Sequence, residues 1–141
     1  LLNNYLIDSE DNILNNEVLE ANFNNCIIYG SQNIELLIEQ LDNSTLDYKF
    51  SNCLLKFTDI NNSFNTSIYD FENQEHFENL ILNQDPKFLS PYENNMIIGE
   101  NSAAKNQGDH VFSNMIPFDL LNVNRTINPD LGAYQHVIQD D

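Results

Sequence analysis

A repeat governs this chain. Phe23-Asn24-Asn25-Cys26-Ile27-Ile28 returns as Phe50-Ser51-Asn52-Cys53-Leu54-Leu55 and again as Phe77-Glu78-Asn79-Leu80-Ile81-Leu82, 27 residues on each time (23 to 50 to 77). The shared pattern is Phe, any residue, Asn, then three apolar residues. A degenerate copy, Asn3-Asn4-Tyr5-Leu6-Ile7, precedes them, with Asn4 standing 21 residues before Asn25. A period in the twenties with strand-like content predicts a solenoid, in which each repeat buries its apolar face against the next.

The second copy shows how one repeat must bend. Alternation along Leu46-Asp47-Tyr48-Lys49-Phe50 puts Leu46, Tyr48 and Phe50 on one face. Along Cys53-Leu54-Leu55-Lys56-Phe57 the inward set becomes Cys53, Leu55 and Phe57. A straight strand keeps its parity, so two strands must meet at a corner containing Ser51 and Asn52. Stacking then predicts Phe23, Phe50 and Phe77 inside. It places Asn25, Asn52 and Asn79 at the corner as an amide ladder, each rung adding about 0.5–1.5 kcal/mol. Asparagine tolerates the left-handed backbone such a corner needs. The 25 asparagines among 141 residues, against 4 glycines, agree with that use, although an AT-rich genome would also raise the count.

Elsewhere the pattern is less regular. Ile34-Glu35-Leu36-Leu37-Ile38-Glu39-Gln40-Leu41 fits a helical face as well as a strand, and its place inside a repeat favours a strand. Residues 59–75 are polar and predict loop, with a short strand near Ser67–Phe71. After Asn83 the repeat stops, and all four prolines (Pro86, Pro91, Pro117, Pro129) fall in the remaining tail. The division expected is 1–83 for the repeats and 84–141 for a cap over the end of the core.

Charge excludes some partners. With 22 acids against 5 bases the net charge is −17, opposite to what nucleic acid or an anionic lipid surface attracts. No apolar run approaches the ~20 residues of a membrane span. The opening Leu1-Leu2-Asn3 reads as a cut end, with any signal peptide removed alongside it.

The chemistry-bearing residues are few. Cys26 and Cys53 hold equivalent positions one repeat apart, either bridged in an oxidising compartment or stacked as free thiols; the parallel side-chain vectors favour free thiols. His76, His110 and His136 lack zinc spacing. Calcium has two acidic candidates, Asp8-Ser9-Glu10-Asp11 and the set Asp70, Glu72 and Glu75, neither with the Asp-x-Asp-x-Asp-Gly loop. No carboxylate pair for glycoside hydrolysis can be singled out, and a lyase would draw its base from Lys49, Lys56, Lys87, Lys105 or Arg125. Arg125, the only arginine, suits a structural link to Asp119, Asp130 or nearby carbonyls. The sequons at Asn43, Asn61, Asn65 and Asn124 follow from composition. No catalytic, cofactor or metal residue is assigned.

The tail carries a resemblance. Asp85-Pro86-Lys87-Phe88 is similar to the Asp-Pro-x-Phe junction that ends many bacterial right-handed parallel β-helices, and Asn101–Asp109 to their Ser-Pro-Ala-Ile-Asp-Ala-Gly segment. Asp119-Leu120-Leu121-Asn122-Val123-Asn124-Arg125, followed by Asn128-Pro129-Asp130-Leu131-Gly132-Ala133-Tyr134-Gln135, resembles the ending of the choice-of-anchor Q proteins. Asn122 replaces the usual Gly there. This resemblance implies an all-β fold, the C-terminal coils of a right-handed parallel β-helix with an irregular cap. It implies export to the surface or medium of a Bacteroidota cell, as a lipoprotein candidate. The expected function is a non-catalytic module for carbohydrate or a cell-surface protein partner. The alternative is the end of a β-helix polysaccharide lyase or glycosidase whose active site lies on further N-terminal coils. An aromatic-lined groove on an outer sheet face would favour the first, and clustered acids with calcium the second.

Overall fold

The computed structural model describes residues 1–15 and 17–137, and of Leu19 the backbone alone. Among these residues the strands are β1 (Leu2–Asn3), β2 (Tyr5–Ile7), β3 (Ile13–Asn15), β4 (Val18–Asn24), β5 (Ile27–Ile28), β6 (Ile38–Glu39), β7 (Leu46–Ser51) and β8 (Leu54–Leu55). They continue as β9 (Phe77–Glu78), β10 (Ile81–Leu82), β11 (Phe88–Ser90) and β12 (Asn95–Ile98), followed by the helix α1 (His110–Met115). None of the described helices is long and apolar enough to cross a membrane.

The repeat sets the register of two small parallel sheets. In the order β4-β7-β9, Phe23 pairs with Phe50 and Phe50 with Phe77. In the order β5-β8-β10, Leu54 pairs with both Ile27 and Ile81. The three rings stack with centroids 4.5 and 5.8 Å apart, and Phe50 and Phe77 are buried. Burying one such ring contributes about 2–3 kcal/mol. Between the sheets the chain turns at Asn25, Asn52 and Asn79, with φ of 53°, 52° and 52°. The corner is therefore Asn52-Cys53, one residue later than Ser51-Asn52.

The right-handed parallel β-helix is not formed. The described strands fall into five small sheets of two or three strands, and two of these sheets are antiparallel. The degenerate first copy leaves the repeat: β2 turns back on β3 in a hairpin pairing Leu6 with Leu14. That hairpin closes because the Asp8 carboxylate accepts from Glu10 N and Asn12 N and because Asp11 takes φ 62°. Residues 59–75 do not supply stacked strands either. The expected strand at Ser67–Phe71 is a 3₁₀ helix, Ser67–Tyr69, and Phe64, Ile68, Tyr69 and Phe71 fold back onto the core. Within residues 34–41 only Ile38–Glu39 is strand, with Tyr69 Oη accepting from Ile38 N. Short strands bounded by side-chain-filled turns, rather than continuous faces, leave a compact sheet-rich unit.

Only one rung of the expected Asn ladder exists, Asn79 Nδ2 to Asn52 Oδ1 at 3.3 Å. Asn25 turns to the tail instead. Strand alternation divides the apolar residues into two cores. Leu36, Ile38, Tyr48, Phe50, Leu55 and Phe77 form the first, and Leu54, Ile98, Ala104 and Leu131 the second. The tail thus packs along the outward face of β5-β8-β10, where Ile27, Leu54 and Ile81 meet it. It holds itself together with carboxylates aimed at backbone. Asp119 accepts from Leu121 N, Val123 N and Gln135 N, and Asp130 from Asn106 N and His136 N. Asn122 supplies its turn at φ 63°.

Candidate functional site

Where the tail meets the outward sheet face, a groove remains. It consists of two adjoining hollows of about 560 and 410 Å³ that share Tyr29, Phe88 and Met96. Phe112, Ile116, Arg125 and Gly132 line the larger hollow, and Asp85, Lys87, Pro91 and Tyr92 the smaller. The volumes lie in the range that holds small organic ligands.

Local rules place each wall. The wall from α1 is held by Asp109, whose carboxylate caps the helix by accepting from Val111 N and Phe112 N. Asn25 clamps the same turn, accepting from Asp109 N at 2.8 Å and donating to Asp109 O at 3.1 Å and Ser113 Oγ at 3.3 Å. Gly132, at φ 95°, lies so close to the sheet that a Cβ would come within 2.9 Å of Ile27 Cδ1, and its N donates to Asn25 O. A larger residue there would be strained at this φ and would force the Ile27 side chain to shift.

At the other end, Tyr92 is fully exposed. Tyr29 carries Lys56 Nζ over its ring, 5.1 Å from the centroid. Lys87 adopts φ 51°, a left-handed conformation unusual for a lysine. It persists because the Asp85 carboxylate accepts from Lys87 N and pairs with Lys87 Nζ at 2.7 Å. The same contacts hold Asp85 below the ordinary carboxylate range and Lys87 above the ordinary lysine range.

Arg125 is buried and lines the larger hollow. It forms no ion pair with Asp119 or Asp130. Nη2 donates to the carbonyls of Asp130 and Gly132 at 2.9 and 3.1 Å. Nε is fully buried without a partner.

The remaining candidates do not gather into one site. Cys26 and Cys53 are free, and Cys26 lines the larger hollow. The Cys53 thiol beside it pulls the Cys26 thiol down to about 7, whereas that contact and burial push Cys53 up. His76 stacks on Tyr48 and bonds Tyr48 O, His110 bonds Thr126 O, and His136 bonds Ile98 O and Glu100. Among the described residues no three His, Cys, Asp or Glu side chains gather as a metal cage. The Asp8 carboxylate serves its own hairpin, and Asp70 accepts from Glu72 N. Lys49 pairs with Glu78 and Lys105 with Glu100.

Sequence reasoning did not find the groove. Its walls come from residues 24–31, 85–96 and 112–133, and only the fold of the tail onto β5 brings them together. The exposed Tyr92 after Pro91 was the nearest local signal. Comparison with family models, curated proteins and solved structures finds no match to this chain.

Proposed function

We propose that this chain is a non-catalytic, surface-exposed module of an exported bacterial protein, and that its groove holds carbohydrate. The aromatic lining carries the reading. Tyr29, Phe88 and Tyr92 border one hollow, where aromatic rings can stack on the apolar face of a sugar ring. Asp85, Lys87 and Ser31 supply hydroxyl-binding groups along the same wall. The tail's likeness to choice-of-anchor Q endings supports export to the cell surface.

The test is titration calorimetry against a panel of neutral and acidic polysaccharides, with Tyr92→Ala and Tyr29→Ala alongside. At least one polysaccharide should bind, and Tyr92→Ala should weaken it by about tenfold, in line with the worth of an aromatic contact. Absence of binding across the panel, or binding indifferent to both substitutions, overturns the reading.

A protein partner is a second reading, favoured by the hairpin β2–β3. Leu6, Ile7, Ile13 and Leu14 are all 50–61% exposed there, an apolar patch of the kind that marks interaction sites. Cross-linking from this hairpin on the cell surface should recover a partner, and Leu6→Asp should abolish the cross-link. A cross-link unchanged by that substitution would overturn it.

A further inference from the structure

We infer that the Arg125 end of the groove is a carboxylate-binding site for a ligand with an apolar body. This goes beyond the sugar reading and does not depend on it. The central observation is a buried guanidinium with unused donors and no ion-pair partner. Arg125 is only 9% exposed, yet no carboxylate lies within salt-bridge distance among the described residues. Its two contacts are neutral carbonyls, both taken by Nη2. Nε is an orphan, and Nη1 makes no hydrogen bond among the described residues. A buried cation without an anion is costly, and a guanidinium has donors left over for a planar anion.

The surroundings define the rest of the ligand. The hollow that Arg125 lines contains no Asp or Glu side chain, and Ile27, Phe88, Met96, Phe112 and Ile116 make its walls apolar. The net charge of −17 does not forbid an anion here. Exposed charges beyond about 8 Å are largely screened at physiological salt, whereas the guanidinium acts at hydrogen-bond distance in a partly desolvated site. A ligand with an apolar or aromatic body and one carboxylate satisfies both the walls and Arg125. A neutral ligand of the same shape satisfies the walls alone.

The experiment titrates 4-phenylbutyrate and its uncharged isostere 4-phenylbutyramide into the ¹⁵N-labelled full chain, following amide resonances by NMR. The acid should shift Asn25, Ser113, Gly132 and Ala133 and bind about tenfold or more tightly than the amide, the worth of a hydrogen bond to a charged group. Arg125 also supports the tail, so its own replacement risks unfolding. Ile116→Glu is the safer variant, because Ile116 is 67% exposed at the rim. The lost apolar wall weakens both probes, but the added negative charge should weaken the acid further and so narrow or abolish its advantage over the amide, while Ile60→Glu, equally charged and outside the groove lining, should change neither. Equal binding of acid and amide, shifts confined to other residues, or no shift at millimolar probe would overturn the proposal. Polysaccharide binding is measured separately and can fail without touching this result.

Discussion

Asn25 reads the backbone of Asp109 from both sides. Its Oδ1 accepts from Asp109 N at 2.8 Å while its Nδ2 donates to Asp109 O at 3.1 Å, across 84 residues of sequence. The side chain behaves as one more length of paired strand and fixes α1 against the corner of the repeat. Asn83 does the same for Phe57, accepting from Phe57 N at 2.8 Å and donating to Phe57 O at 3.0 Å.

This separates two roles of the corner asparagines. Asn25→Gly keeps the left-handed turn but drops three side-chain bonds, and should cost about 2 kcal/mol in urea denaturation. Asn25→Ala should cost about 1 kcal/mol more, for the backbone conformation. Asn52 has only the Asn79 rung to lose, so Asn52→Gly should be within about 0.5 kcal/mol of the parent and Asn52→Ala about 1–2 kcal/mol below it. Equal costs for Asn25→Gly and Asn52→Gly would show that the clamp on Asp109 contributes nothing.

The middle ring of the stack should matter most. Phe50 is 1% exposed and sandwiched by Phe23 and Phe77, so Phe50→Ala should destabilise by about 3–5 kcal/mol. Phe23 is only half-buried and has one stacked neighbour, so Phe23→Ala should cost clearly less in the same denaturation series.

Acid should loosen the 59–64 turn. The Asp59 carboxylate accepts from Phe64 N and Ser63 N, and these bonds hold it below the ordinary carboxylate range. A lowered folded-state value means that the contribution is present above the ordinary pKa of about 4 and is lost as pH falls through the lower folded value. Protection of the Phe64 amide, taken relative to its intrinsic exchange rate at each pH, should therefore fall below about pH 4 in the parent, while Asp59→Asn should show no such pH step.

The two thiols should react unequally. Cys26 is half-buried and its thiol is drawn down to about 7 by the neighbouring Cys53, whereas Cys53 is buried and raised. Alkylation by iodoacetamide should modify Cys26 first, with a rate that climbs with pH and reaches half its maximum below the ordinary thiol pKa of about 8.5. Cys53→Ala removes the neighbouring thiol and should move that midpoint upward. Faster alkylation of Cys53, or an unmoved midpoint, would refute the pairing.

The sequence alone determined what depends on neighbours at constant spacing. A 27-residue recurrence is enough to align Phe23 with Phe50 and Phe77, and Ile27 with Leu54 and Ile81, because parallel strands repeat their register with the period. The need for φ > 0 at each corner is likewise local, and nine of the eleven non-glycine residues with positive φ among those described are Asn. The overall architecture was not local. The repeats and the tail motifs pointed to a β-helix, but the Asp8 turn, the folded-back aromatics of residues 64–71 and the antiparallel pairing of β11 with β12 broke the stack into small sheets. Tertiary structure alone decided that Leu54, next to the inward Leu55, is buried under the tail. It alone turned Asn25 from the ladder to Asp109 and, among the partners the sequence offered Arg125, selected carbonyls over the Asp119 and Asp130 carboxylates. Each of these rests on contacts between residues 5 to 88 apart in the chain, whose geometry is set by packing two apolar surfaces together and has no signature in either segment by itself.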